Sequence, residues 1–200
     1  MSDPITPVAT SSKVRFGVKS LTFWPITADG TASANPTYGT KIEVPGTVQV
    51  EVDYESNEVK FYADNNIYYS GRNSAGNTGS IENAFFPDAL KAAAYGWRID
   101  ANGGLVETDD GTPCNFAMAY QVEGDAEGLR CVHYDVNLGY PKQTHSTTED
   151  GITVDTETID YTGKKANLKG EMVARYSLVE GNTGYSSWFG TTPVFPAEAE

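Results

Sequence analysis

The chain has 200 residues, enough for one large domain or two small ones. Its 14 Lys and Arg against 27 Asp and Glu give a formal charge of −13, which argues against a protein that grips nucleic acid through phosphates or adheres to an anionic membrane. Two cysteines are too few for a disulfide framework. No stretch approaches the length of an apolar membrane span, and the opening MSDPITPVATSSKV lacks the basic and apolar regions of a signal peptide. Synthesis in a cytoplasm, with reduced thiols, is expected. Twelve Tyr, eight Phe and three Trp stand among 20 Gly and ten Pro, while helical periodicity is scarce. That pattern predicts a mainly β chain, a sandwich or barrel-like fold with one short helix.

In chain order, residues 1–12 read as a flexible polar arm, 13–182 as one β-rich domain and 183–200 as an aromatic, Pro-broken tail. Lys13–Lys19 (KVRFGVK) alternates, with Val14, Phe16 and Val18 on one face, and LTFWPI continues it to Pro25. Ala28–Gly39 is a loop of turn residues, and Pro45-Gly46 turns the chain into Thr47–Glu55 (TVQVEVDYE). There Val48, Val50, Val52 and Tyr54 fall on one face, and Gln49, Glu51, Asp53 and Glu55 on the other. Glu58–Tyr69 gives two aromatic strand pieces around Asp64-Asn65-Asn66. Ser70–Ser80 (SGRNSAGNTGS) is so small and polar that it reads as a loop, either mobile or ordered against a partner.

A helix is expected over about residues 87–95, with Pro87 and Asp88 at its start and Gly96 as its stop. Leu90, Ala93, Ala94 and Trp97 recur at helical spacing and would dock it on a sheet. Asn115–Glu123 alternates with Phe116, Met118, Tyr120 and Val122 together, and Gly124–Gly128 closes a hairpin into Leu129–Leu138. In that partner Arg130, Val132, Tyr134, Val136 and Leu138 are expected to share a face. Ile152–Tyr161 is a further strand with Asp155 and Glu157 on one side, Lys164–Lys169 a basic patch, and Met172–Val179 the last strand.

Residues that could carry chemistry are sparse. Cys114, Cys131, His133 and His145 are metal-ligand types, yet their spacing matches no common zinc pattern, and a buried thiol with two ordinary histidines explains them equally. Asp64, Asn65 and Asn66 suggest calcium without the distal Glu of an EF-hand loop. Asp109-Asp110 and Glu149-Asp150 lie in turn-rich stretches where Asp is common anyway. No nucleotide loop or nucleophile elbow is present, so no catalytic, cofactor or metal residue is assigned and an enzyme is not expected.

Three segments taken together carry a resemblance: KVRFGVKSLTFWPI, then YGTKIEVPGTVQVEVDYESNEVKFYADNNIYY, then SIENAFFPDALKAAAYG. With ETDDGTPCNFAMAYQVEGD, LRCVHYDVNLG and YSSWFGTTPVFP they form a collinear series over roughly residues 13–195. The series resembles the major tail protein of long-tailed, non-contractile phages and prophages of Gram-positive bacteria. The resemblance implies a tail tube subunit: hexameric rings stacked around a tape-measure protein, bounded by tail terminator and distal tail proteins. The virion is its location, genomic DNA is transiting cargo only, and no cofactor or membrane is involved.

A DNA conduit gives the acidic strand a purpose. An acidic wall repels duplex DNA at short range, whereas a basic one would hold it. Glu51, Asp53 and Glu55 are therefore the expected lumen-lining strip, with Asp155 and Glu157 a second. A solvated outer face explains the same pattern. Contacts between rings are expected from Arg72 and Asn73, from the Ala28–Gly39 loop, and from Trp188 and Phe189. The alternative function is a carbohydrate-binding sandwich of an adhesin or receptor-binding protein, with Tyr62, Tyr68, Tyr69 and Trp97 stacking on sugar rings.

Overall fold

The computed structural model describes residues 17–63, 66–124, 127–143 and 155–197. The expected arm over 1–12, together with Val14 and Phe16, lies outside them. The described elements are β1 (Val18–Ala28), β2 (Thr37–Tyr38), β3 (Ile42–Val44), β4 (Thr47–Val50), β5 (Asp53–Ala63), β6 (Asn66–Asn83), α1 (Asp88–Tyr95), β7 (Arg98–Ile99) and β8 (Leu105–Val106). They continue with β9 (Phe116–Val122), β10 (Arg130–Leu138), β11 (Lys142–Gln143), β12 (Glu157–Lys164), β13 (Ala166–Leu168), β14 (Glu171–Val173) and β15 (Arg175–Leu178). The fold is mainly β, as composition predicts.

Eleven strands form one sheet along the path β2-β1-β9-β10-β12-β6-β4, with β3 beside β1, β5 beside β6, β11 beside β12 and β15 beside β10. Two apolar clusters flank it. The larger gathers Leu21 and Phe23 of β1, Ile81 of β6, Leu90 of α1, Phe116, Met118 and Tyr120 of β9, and Ile159 and Tyr161 of β12. The second joins Trp24, Ala117, Ala119, Val132 and Tyr134 to Ala166, Leu168 and Trp188. β9 is therefore buried on both faces: its aromatics and Met fill one side, as alternation predicts, and its alanines admit large rings on the other.

β10 departs from simple alternation. Its register against β9 shifts between His133 and Val136, so Tyr134 and Asp135 oppose the single residue Ala117. Such a bulge reverses which parity faces which side. Val132 and Tyr134 thus face the second cluster and Val136 and Leu138 the first, rather than all sharing a face.

α1 forms where expected. Pro87 precedes it, Asp88 sits in its first turn, and Gly96 ends it at φ 71°, a left-handed stop. A side chain at Gly96 would also meet the Gly111 backbone at 2.5 Å. Leu90, Lys91, Ala94 and Tyr95 are its buried residues, and Ala93 and Trp97 pack at the margin.

Two expectations are corrected here. Ser70–Ser80 is not a loop: it belongs to the 18-residue β6, whose partner β5 runs antiparallel from Asp53↔Thr78 to Ala63↔Asn66. Small polar residues keep strand geometry there because the hairpin ladder satisfies their backbone groups. The aromatic segment after residue 183 also folds back. Trp188 is 1% exposed, its indole N–H donates to the Cys131 carbonyl at 3.4 Å, and its ring lies 5.4 Å from Tyr176. Trp188 is therefore core, not a contact surface. Trp188→Ala should lower the unfolding free energy by about 3–5 kcal/mol in a denaturant titration, whereas a surface residue would cost under about 0.5.

Candidate acidic sheet face

β6 and β12 pair over seven rungs, from Glu157↔Asn83 to Gly163↔Asn77. Residues directly opposite each other share a face. Ile81, Ile159 and Tyr161 point into the larger cluster. The other parity sends Thr78, Ser80 and Glu82 of β6 and Thr158, Asp160 and Thr162 of β12 to the opposite face. Gln49 of β4 sits beside Glu82, and Asp53 of β5 beside Thr78. A polar face rich in carboxylates results: Glu51, Asp53, Glu55, Glu82 and Asp160.

The strip expected from sequence is reshaped. Glu51 is not within a strand, because β4 ends at Val50 and β5 begins at Asp53. Its backbone bridges the break: its N–H donates to Ser80 O at 2.8 Å, and Tyr161 donates to its carbonyl at 2.9 Å. Its carboxylate accepts from Gln49 at 2.7 Å and from Ser80 at 2.9 Å. Asp53 and Glu55 are exposed on β5, with no side-chain hydrogen bond or ion pair among the described residues. The other side of this run is not dry throughout, since Val48 and Tyr54 are 53% and 64% exposed while Val50 and Val52 pack on the core. Sequence reasoning missed Glu82, which accepts from Thr156 at 2.7 Å, and Asp160, which pairs with Lys142 at 2.7 Å.

Glu157 falls on the opposite face. It shares parity with Ile159 and Tyr161, so its side chain turns inward beneath α1. Lys91 Nζ stands 3.0 Å away, Phe86 N–H donates at 3.0 Å and Gln143 at 2.7 Å. The pair is nearly dry, with side-chain exposures of 7% for Lys91 and 13% for Glu157. Asp155 precedes β12 and is half-buried. Arg72 and Asn73 lie on β6 opposite Glu58 and Asn57; their side chains are outside the described set. Phe189 is half-buried beneath Arg130, whose guanidinium carbon lies 5.2 Å over its ring and 3.7 Å over that of Tyr185.

The metal-ligand residue types do not converge among the described residues. Cys114 donates to Ala93 O at 3.2 Å, while Cys131 accepts from Arg175 at 2.7 Å across the sheet. His145, Asp64, Asn65, Glu149 and Asp150 lie outside the described residues. Asn66 Oδ1 accepts from Ile67 N–H at 2.8 Å. His133 is wholly buried beside Tyr120 and Tyr161, with Asn77 Nδ2 3.0 Å from its Nδ1. Burial, then the Arg175 charge, pushes its pKa down to about 3. The ring is neutral, an acceptor at Nδ1 and a structural member of the core.

Compared with known families and with curated proteins, the chain matches no family model and no curated sequence.

Two measurements check this geometry. Glu157→Ala leaves Lys91 buried and unpaired and should cost about 3–5 kcal/mol. Asp53→Ala and Glu55→Ala should each stay within about 0.5 kcal/mol. His133 is held neutral in the fold but has its ordinary pKa of about 6.5 once unfolded, so unfolding takes up a proton between those values. Its contribution is complete above about pH 7.5 and falls as pH drops through 6.5. From pH 7.5 to 5.5 the urea-derived stability should fall by roughly 1.4 kcal/mol, and His133→Gln should flatten that slope.

Proposed function

We propose that this chain is a self-assembling structural subunit of a phage tail tube, and that the acid-bearing face of β5, β6 and β12 lines the bore. The observation that carries this reading is the β5–β6 ribbon. β6 pairs with β12 up to Asn77, and from Gly76 back to Asn66 only β5 accompanies it among the described residues. A two-stranded ribbon alone is marginal in water. This one leaves both outer edges unpaired among the described residues and exposes Ile67, Tyr68 and Tyr69 at 48, 79 and 61%. Open edges template pairing with another chain. Gly76 aims the ribbon at the sheet margin: its φ is +130°, and a side chain there would meet Gly163 O at 2.4 Å. A bulge follows between Glu55 and Ser56.

Such an arm finds its missing partners on a neighbouring copy. Its base carries Asp53 and Glu55, so copies joined through the ribbon bring their carboxylates side by side. A closed ring then has one wall that repels duplex DNA at short range and does not retain it. Tape-measure, terminator and distal tail proteins are the partners this assignment brings, and the virion its location.

The carbohydrate-binding alternative draws less support. Tyr68 and Tyr69 are consecutive on a strand and face opposite ways, so they cannot make one platform.

Concentrated protein viewed by negative stain should show rings or hollow tubes. Replacing residues 55–75 by a short turn should abolish them while far-ultraviolet circular dichroism and monomer solubility persist. Protein that remains monomeric at every concentration overturns the assignment. Tubes of the Glu51→Lys, Asp53→Lys, Glu55→Lys triple variant should assemble and retain duplex DNA at about 0.15 M salt, where parent tubes retain none.

A further inference from the structure

A cleft of about 820 Å³ opens where α1, the segment after β8 and the end of β10 meet. Trp97 and Tyr140 form its apolar wall. Tyr140 is 69% exposed; it stacks 4.9 Å from the buried Tyr95 ring at 22° and stands 6.1 Å from Trp97 at 31°. The half-buried Trp97 and the exposed Tyr140, tilted 31° to one another, thus present aromatic surface to the cleft. Asp88, Glu107 and Asp109 line the same cleft, and none has a side-chain hydrogen bond or ion pair among the described residues. The cation in the wall, Lys91, is 5% exposed and already engaged by Glu157.

Flat aromatic faces beside unpaired carboxylates suit a guanidinium. It stacks on rings through its plane and binds carboxylates through its forked N–H groups. The chain uses this chemistry internally, where Arg130 lies 3.7 Å over the Tyr185 ring. In a chain of charge −13, Lys13, Arg15 and Lys19 concentrate basic residues within seven positions. The described end of that segment, Gly17–Lys19, lies level with the start of β10, away from the cleft. Gly17 O accepts from Glu123 N–H, and Val18 pairs with Val122, which lies level with Leu129 before β10 begins. Tyr140 lies two residues beyond the end of β10, whose nine residues span roughly 27–30 Å. The three residues from Val18 to Arg15 reach at most about 11 Å. A chain's own Arg15 therefore falls short of its own cleft.

We infer that the cleft receives Arg15, flanked by Lys13 and Phe16, from a second copy, a head-to-tail contact that joins successive subunits of the assembly. The inference rests on the tube reading, and it names the segment and the surface that meet. Because the point where the donor segment joins the fold and the acceptor cleft lie at opposite ends of β10, the contact would not close on itself in a pair and would repeat along an axis.

The peptide TSSKVRFGVK, residues 10–19, tests the cleft without assembly. Trp24 and Trp188 are buried, so a fluorescence change on adding the peptide to dilute full-length protein reports Trp97. The parent peptide should bind. Its Lys13→Glu, Arg15→Glu form should bind at least about tenfold more weakly, as should the parent peptide to the Glu107→Lys, Asp109→Lys protein. In the full chain, Arg15→Glu should arrest growth at rings or short stacks, and adding Glu107→Arg should restore long tubes. Three outcomes overturn the inference: no response to the peptide, equal binding of an unrelated peptide or of a neutral oligosaccharide, or normal tubes from Arg15→Glu. If the parent protein forms no assembly at all, the tube reading fails instead, and the peptide titration still decides whether the cleft takes this segment.

Discussion

The seven-rung pairing of β6 with β12 is the constraint on which the rest depends. Its register sends Ile81, Ile159 and Tyr161 into the core and leaves Glu82 and Asp160 on the opposite face. A slip of one residue would exchange the two sets. That exchange would bury carboxylates without partners and expose three large apolar side chains, so the register is strongly specified. The same pairing sets where the ribbon begins, because the β12 ladder ends at Gly163 and β6 continues with β5 alone among the described residues.

Glu157 shows how the register is locked. It takes a core-facing position at the end of β12, where an isolated carboxylate would be intolerable. Lys91 from α1 neutralises it, and the Phe86 amide, left over just before the helix, donates to it. One buried acid thus ties strand, helix and the entry to that helix together. Breaking such a pair is costly even where the pair itself adds little net stability. Its role reads as specificity: it sets which residue of β12 lies beneath α1.

Much of this fold is legible in the sequence, and the failures have physical causes. β9 alternates cleanly because both its faces are packed and nothing interrupts its ladder. α1 carries its own start and stop residues. β10 misleads because a bulge is a backbone event: LRCVHYDVNL contains no glycine or proline to mark it, and the parity change shows only when Phe116 is paired with Val136. Ser70–Ser80 misleads because composition measures what side chains can bury, whereas a hairpin arm is held by main-chain bonds and by its partner strand. Glu157 was open to correct placement, since Ile159 and Tyr161 declare the buried parity two and four residues on. Glu82 and Asp160 carry no local signal, because their common face exists only through pairing of strands more than 70 residues apart. Trp188 sits among turn residues, and turn chemistry says nothing about which ring the segment carries back to the sheet.

Edge exposure and acidity act together in this molecule. A monomer ordinarily blunts its edges with charge or short strands, because open ladders recruit other chains without discrimination. Here the arm is long, and its described side chains include the exposed Ile67, Tyr68 and Tyr69, so on the tube reading proposed above it is the edge at which copies would join. A charge of −13 would oppose such joining at a distance, because like-charged copies repel. Screening confines the repulsion to about 8 Å at physiological salt, so it governs encounter more than the finished interface. On that reading, carboxylates beside the arm would oppose association directly, and their place there is intelligible if that face meets something anionic after assembly. A purely structural surface would gain from interspersed lysines. The β5–β6–β12 face pairs one of its five carboxylates with a lysine, Asp160 with Lys142; Lys164, on the same face at the end of β12, pairs with Asp135 of β10, and Glu51, Asp53, Glu55 and Glu82 have no lysine partner among the described residues.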